Sequence, residues 1–347
     1  MTRIALDMMG GDQGVESNVA GITHWFSANK NKDVHFDLFG NKPLIDSAIA
    51  KVSKFPVDLC EVHDTGERVI APDDRPSMAI KRGGGSSMFE AISSVALGKS
   101  DAVVSSGNTG AYMALAKIVI GMMGGMERPA IVSIIPNIKG RSVMLDLGAN
   151  TSCSSTQLVQ FAVMGLAIAR VMLGLHSPSV GILNIGTERS KGTEVLDEAY
   201  KILARARHIK FVGFVEGTDI MAGTSDVIVT DGFPGNVSLK TMEGVIRYLT
   251  YLTKNEIENS ILCKIGYLFC RKMVSSIKDA IDPRRHNGAP FVGLQKIAVK
   301  SHGNSDAIGF AQAISAAIKL AESDFIASIS KALLTIKTEP PNENSNK

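Results

Sequence analysis

Cysteine is scarce: Cys60, Cys153, Cys263 and Cys270 are the four in 347 residues. No pair has CxxC spacing and no histidine follows at a zinc-like interval. Neither a disulfide framework nor a structural zinc site is expected, and a reducing compartment fits best. Strong charge of either sign is missing too. The 37 Lys+Arg against 34 Asp+Glu leave a net charge of +3, which argues against a nucleic-acid partner and leaves room only for a local basic face. No uncharged apolar run reaches the ~20 residues needed to span a bilayer, and no signal-peptide pattern follows Met1. The expectation is a cytoplasmic protein that at most lies on a membrane surface.

Several chemical signatures are absent as well. There is no GxxxxGK[ST], and no GxGxxG after a strand with an acidic residue about twenty positions on, so ATP and NAD are poorly supported. No GxSxG elbow occurs. Cys153 follows a Gly-Ala-Asn loop but reads as a small packing residue. Direct transfer between two bound substrates suits this chain better than a covalent enzyme intermediate.

What is present is alternation. Short β-branched runs (Arg3–Leu6, His35–Phe39, Ala102–Ser105, Ala130–Ile135, Ser142–Leu147, Ser179–Asn184, Lys210–Val215, Val227–Thr230 and Lys296–Lys300) alternate with helical patterns such as Thr156–Leu173 and Thr193–Ala206. Several runs are apolar on both faces, as buried parallel strands are, and the order predicts an α/β protein with a mostly parallel sheet covered by helices. Residues 1–336 read as one α/β domain. Within it, residues 238–282 form a helical excursion without a strand, and residues 337–347 form a polar, disordered tail.

One local design recurs, a strand running into a Gly/Asn loop and then a helix. It appears at Asp101–Gly110, Met144–Asn150, Gly181–Gly192 and Asp226–Asn236. In an open parallel sheet such loops gather at the carboxyl ends of the strands, where ligands bind. Glycines let backbone N–H groups approach an oxyanion, and the following helix turns its positive end toward it. Asn108, Asn150 and Asn236 add neutral donors, and Lys191 adds a mobile positive charge. Each loop alone is more often a turn former than a ligand site; several together point to a shared, phosphate-sized pocket.

The combination resembles the phosphate acyltransferase family of phospholipid synthesis, the PlsX proteins. The matching stretches are Asp7-Met-Met-Gly-Gly-Asp12, Ser86-Ser-Met88, Ser106-Gly-Asn-Thr-Gly-Ala111, Asp146-Leu-Gly-Ala-Asn150 and Asn184-Ile-Gly-Thr-Glu188 with Lys191-Gly192. They continue with Glu216-Gly-Thr-Asp-Ile220, Asp231-Gly-Phe-Pro-Gly-Asn-Val237, Gly288-Ala-Pro with Gly293-Leu294, and His302-Gly-Asn-Ser305. The resemblance implies a three-layer α/β/α fold like those of phosphotransacetylases and isocitrate dehydrogenase-like enzymes. It also implies a homodimer, and transfer of a long-chain acyl group from acyl carrier protein to inorganic phosphate. The acyl phosphate would then serve a downstream membrane acyltransferase. No metal or organic cofactor is expected. The family often has several basic residues before Ser-Ser-Met; here Lys81 and Arg82 precede three glycines, whose N–H groups offer a partial substitute.

On this reading Lys191 holds phosphate or neutralises transition-state charge. Asn236 donates to the carbonyl oxygen or phosphate, or else is a helix N-cap. Ser86, Ser87, Asn108, Thr109 and Asn150 are candidate phosphate donors. Asp7, Asp12 and Asp231 are supporting acids that brace loops. His302 is a base, an acid for the departing thiolate, or a structural histidine. Ile261, Leu262, Ile265, Leu268 and Phe269 mark an apolar face with Arg271 and Lys272 beside it, suited to a dimer interface or an anionic membrane. Arg284 and Arg285 offer a basic patch for the acidic carrier protein, or ordinary surface charge. Two rivals are a phosphotransacylase acting on short acyl-CoA and a non-catalytic membrane scaffold for lipid-synthesis enzymes. A decarboxylating dehydrogenase of related fold ranks last, lacking a nicotinamide signature and a cluster of metal-binding aspartates.

Overall fold

Runs such as Ala102-Val-Val-Ser105 and Val227-Ile-Val229 are buried on both faces, which only interior strands achieve. The computed structural model describes residues 1–30, 33–282, 284 and 287–338, the side chains of 278–281 and 334–338 excepted. Its strands are β1 (Thr2–Asp7), β2 (Val34–Gly40), β3 (Cys60–Asp64), β4 (Ala102–Ser105), β5 (Ala130–Asn137) and β6 (Gly140–Leu145), then β7 (Ser179–Leu183), β8 (Lys210–Val215), β9 (Val227–Val229), β10 (Ala289–Val292) and β11 (Ile297–Lys300). They form one sheet in the order β3-β2-β1-β4-β11-β10-β5-β6-β9-β7-β8.

Two parallel blocks stand at the ends of this order. β3, β2, β1, β4 and β11 form the first, and β6, β9, β7 and β8 the second. Between them, the pairs β11–β10, β10–β5 and β5–β6 are antiparallel. An odd number of reversals means that the two blocks run in opposite directions. The sheet is thus mostly parallel, as the alternation predicts, but the Gly/Asn loops fall into two groups rather than along one common edge. Sequence periodicity missed β3, a short Cys-Glu-Val-His-Asp strand, and β10, whose Pro290 is disfavoured in a strand interior.

Side chains alternate across the sheet, so Ile4 and Leu6 join one core while Ala5 joins another. On the first face a single core runs the full width, built with the helices Gly14–Ala28, Ser155–Leu173, Ala307–Ala321 and Phe325–Thr338. On the second face the core is split. One cluster lies under the helices Ser87–Ala96 and Thr109–Val119; a smaller one gathers Ile135, Met144, Leu147, Val215, Ile220 and Ile228. Ile131, on β5, touches both. The continuous layer makes one body.

The helix Ser155–Leu173 is apolar and long enough to cross a bilayer, yet 72% of its most apolar window is buried inside the protein. A Ser154–Gln157 capping box starts it, and Gly174, at φ 72°, ends it. Its Gly165 packs so close that an added Cβ would lie 2.4 Å from Val227 Cγ1. By contrast, the helices Gly232–Asn259 and Ile261–Ile281 pair with each other and leave Tyr248, Leu249, Tyr251, Leu262, Leu268 and Phe269 exposed. The last helix continues through Lys337 to Thr338; the remainder of the expected tail lies outside the described residues.

Candidate functional site

The first group of loops crowns three adjacent parallel strands, β1, β4 and β11. Asp7 ends β1 and is buried; its carboxylate accepts hydrogen bonds from Ser87 Oγ (2.7 Å), Ser105 Oγ (2.6 Å) and Met9 N (3.3 Å). Burial pushes this carboxyl above its usual range, and the hydroxyl and backbone donors oppose the shift. Ser106 Oγ donates to the Gly10 carbonyl (2.8 Å), and the Asp12 N–H to the Gly303 carbonyl (2.7 Å). The backbones come so close that a Cβ on Gly10 would stand 2.6 Å from Gly107 N. Asp7 thus braces loops, whereas Asp12 has an exposed side chain.

Many predicted donors of this group are already engaged. Ser87 gives its hydroxyl proton to Asp7. Ser86, also buried, accepts from Phe89 N and caps the helix behind it. Asn108 caps the next helix through Ala111 N, and its amide donates to the carbonyls of Pro72 (2.7 Å) and Asp74 (3.0 Å). Thr109 is the exposed first residue of that helix. In the triglycine stretch, the Gly83 N–H is taken by the Ala79 carbonyl, so it does not stand in for a basic side chain. Instead Arg68, from another segment, donates to the Gly84 carbonyl at 2.6 Å.

Sequence reasoning missed Lys300, the last residue of β11. It is 7% exposed, and its ammonium donates to the carbonyls of Ser106 (3.3 Å) and Ser301. Burial lowers it to about 8, against the attraction of Asp7 and Asp12. A charged residue closing an apolar strand just before a glycine loop was the available signal.

The second group crowns β6, β9 and β7, again adjacent and parallel. Asp146, the residue after β6, is fully buried and follows a cis Leu145–Asp146 peptide bond. Oδ1 accepts from the N–H groups of Ile131 (3.0 Å), Gly148 (3.2 Å) and Ala149 (3.0 Å); Oδ2 accepts from Asn150 N (2.8 Å) and Nδ2 (2.9 Å). This carboxylate is the hub of the loop, and the sequence reading did not single it out. Asn150 is corrected: its amide is buried and donates to Asp146 and to the Pro129 carbonyl (2.8 Å), so it holds the loop rather than facing a ligand.

The helix Gly232–Asn259 starts against this loop. Asp231 occupies the N-cap position, and its carboxylate accepts from Cys153 N (3.1 Å). Asn236 is therefore four residues beyond the first helical position, which removes the N-cap alternative. It is exposed, and a Cβ on Gly148 would meet its side chain at 3.4–3.7 Å. Burial together with Asp231 and Asp146 pushes the Cys153 thiol up to about 12, so a thiolate there is disfavoured. Lys191 sits on a short turn after β7, exposed and paired with Glu188 at 2.9 Å. Glu188, with Glu216 adding a smaller effect, raises it above its usual value and keeps it charged.

His302 connects the two groups. It belongs to the first, yet Lys240 and Glu243 on the long helix of the second act on it electrostatically. Desolvation by the surrounding loops and the Lys240 and Lys300 charges push the imidazole below its usual value; Glu243 and Asn304 oppose them. Arg284 is also corrected. Its guanidinium is held by Asp282 (2.6 Å) and Asp306 (2.8 Å), which neutralise the basic patch expected there. Arg285 lies outside the described residues. Elsewhere, among the described residues, His35, Asp37 and Glu61 converge with metal-ligand spacing, but Arg3 already binds both carboxylates.

The arrangement offers an exposed cation, an exposed amide and several helix starts on two sets of strand ends, linked by the action of Lys240 and Glu243 on His302, and such groups can hold an anion beside a polarised carbonyl. A family profile described as a fatty acid synthesis protein matches residues 2–328. A protein of Rhodospirillum rubrum named phosphate acyltransferase is 43% identical, over 97% of this chain and 96% of its own. Another of that name, from Paramagnetospirillum magneticum, is 44% identical over 91% and 90%. Among solved structures, a phosphotransacetylase from Streptococcus pyogenes superposes with a TM-score of 0.61 at 15% identity, covering 92% of this chain and 94% of that one. That likeness establishes the α/β/α fold.

Proposed function

This chain belongs to the fatty acid synthesis protein family, the PlsX phosphate acyltransferases, and from that premise we propose that its acyl donor is acyl carrier protein. The product is then an acyl phosphate made for phospholipid synthesis. The observation that carries the reading is the disposition of β6, β9 and β7, neighbours whose carboxyl ends bear the Asp146 hub, Asn236 and Lys191.

A phosphate oxygen attacks the thioester carbonyl, forming the C–O bond of a tetrahedral intermediate. Lys191, released from Glu188 by the incoming anion, neutralises phosphate charge while the Asn236 amide donates to the carbonyl oxygen as it becomes an oxyanion. Collapse breaks the C–S bond, and the carrier-protein thiolate leaves and takes a proton. His302, pushed below its usual value and so neutral at working pH, accepts the proton that the attacking phosphate gives up and passes it to that thiolate. Asp7 and Asp231 brace the loops, and Thr109 with the neighbouring helix start offers donors to phosphate.

The paired helices 232–259 and 261–281 carry the membrane part of the proposal. Ile261, Leu262, Ile265, Leu268 and Phe269 are exposed, with Lys264, Arg271 and Lys272 on the same helix. This composition suits an anionic bilayer to which a reactive acyl phosphate is delivered, next to a membrane acyltransferase. A homodimer pairing the same helices is the competing use of this surface. Flotation with anionic vesicles separates the two: intact protein that stays out of the vesicles assigns the face to the dimer.

The decisive assay is phosphate-dependent release of free carrier protein from palmitoyl-acyl carrier protein, with palmitoyl-CoA and acetyl-CoA in parallel. Turnover of the carrier-protein substrate is expected. Preference for acetyl-CoA would replace the reading by a short-chain phosphotransacylase. Lys191→Ala should lower kcat/KM by about 10²-fold with little change in unfolding, because the lysine is exposed and paired only at the surface. Near-normal turnover would remove Lys191 from the mechanism.

A further inference from the structure

We infer that Lys300 is a positioning residue for phosphate: its ammonium pins the first group of loops and compensates the carboxylates there, so that an anion can enter. This rests on the acyl-transfer reading above and deepens it. Two loops meet at this amine, and a third is tied to them. Its Nζ donates to the Ser106 carbonyl, where the Gly107-Asn108-Thr109 turn begins, and to the Ser301 carbonyl, which precedes His302. The third loop is tied on by the hydrogen bond from Asp12 N to the Gly303 carbonyl and by that from Ser106 Oγ to the Gly10 carbonyl.

Charge makes the case for function beyond packing. Asp7 and Asp12 both act on Lys300. Without the ammonium, two carboxylates and two carbonyl dipoles would face the helix starts that are to receive a phosphate dianion, and the group would repel it. Lys300 is the buried cation that reverses this balance. It touches no substrate atom in this account; it acts through the loops that carry Thr109 and His302.

The groups facing it leave a clean window. Asp7 and Asp12 come from the first loop, His302 from the strand's own loop, and Tyr112 lies on the helix behind. Tyr112 is held well above its usual value by burial and by Asp7, and His302 is pushed below its own. Lys191 is raised above 10.5 by Glu188. Lys300, at about 8, loses its proton between pH 7 and 10, with Tyr112 and Lys191 shifted upward and His302 downward.

The test is the pH dependence of KM for phosphate in the intact protein, with calorimetric titration by inorganic phosphate alongside. In the wild type KM should rise by about tenfold per pH unit above pH 8, with kcat much less affected. Lys300→Arg, which keeps its charge, should postpone that rise to higher pH. Lys300→Met should show a raised KM already at pH 7, a value that the wild type approaches toward pH 10. The inference is overturned if Lys300→Arg follows the wild-type curve, or if folded Lys300→Met binds phosphate within twofold of wild type. If Lys300→Met does not fold, the arginine variant decides alone. Phosphate binding with this pH dependence, but without carrier-protein release, would overturn the donor assignment and leave the role of Lys300 standing.

Discussion

Replacing Gly235 by alanine sets a methyl group against backbone that has nowhere to go. The new Cβ would lie 2.0 Å from the Asp146 carbonyl oxygen and 2.8 Å from Thr230 Cγ2. Carbon and oxygen ordinarily meet at about 3.3 Å or more, so the overlap exceeds about 1 Å. Gly232, one turn earlier, is equally confined, 2.2 Å from the Asn150 carbonyl oxygen. The start of the helix Gly232–Asn259 must therefore lift off the 146–150 loop. Overpacking of this kind costs about 1–3 kcal/mol, and a backbone obstacle places it at the upper end. The lift carries Asn236, the next residue, away from Gly148, and a displacement of about 1 Å at a reacting centre costs about 10²-fold in rate. Gly244→Ala in the same helix is the control: nothing lies within 4 Å of its added Cβ, so it should gain about 0.5–1 kcal/mol and keep full turnover. Urea unfolding followed by circular dichroism reads the stability, and phosphate-dependent carrier-protein release reads the rate. A Gly235→Ala protein with wild-type unfolding and turnover within twofold would refute the claim that this contact places Asn236.

Two further outcomes follow from the same geometry. Asp146→Asn turns one of two accepting oxygens into a donor facing donors, so at least two of the five N–H groups around it lose their partner. At about 1–3 kcal/mol each, partly offset by removal of a buried charge, the loss should be about 3 kcal/mol; unfolding within about 0.5 kcal/mol of wild type would dismiss Asp146 as the hub. The second outcome concerns Lys300, which stands at about 8 in the folded protein against 10.5 for an ordinary lysine. Between those values the unfolded chain binds the extra proton, so this group's contribution to stability rises with pH, by up to about 1.4 kcal/mol per pH unit. The difference in unfolding free energy between wild type and Lys300→Met should therefore move in favour of wild type from pH 8 to 10, while phosphate affinity falls. A flat difference would mean that Lys300 does not titrate there.

Much of the fold is written locally. The buried runs at β4 and β9, the Ser154 capping box, the left-handed Gly174 and the strand-to-glycine loops each depend on a few neighbouring residues, and periodicity and turn chemistry report them. That is why a mostly parallel α/β sheet, the Gly/Asn loops and the polar turn bearing Lys191 could be read from the residues, while the three-layer α/β/α class came from the family resemblance. The partner of each polar group could not. Ser87 and Ser105 reach Asp7 across 80 and 98 residues, and Lys300 reaches Ser106 across 194. Such pairings exist only once strand order is set, and strand order turns on β10 and β5, whose antiparallel pairing reverses the second block. Asn150 and Arg284 illustrate the consequence. Each has the residue type of a ligand contact, but the folded chain engages Asn150 in the interior and Arg284 at the surface, because a polar group placed beside a backbone carbonyl or a carboxylate binds it first. The sequence by itself located the Gly/Asn loops to which we assign the anion. Only the folded chain decided which of their donors remain for a ligand, since desolvation and distance act on neighbours in space rather than in sequence.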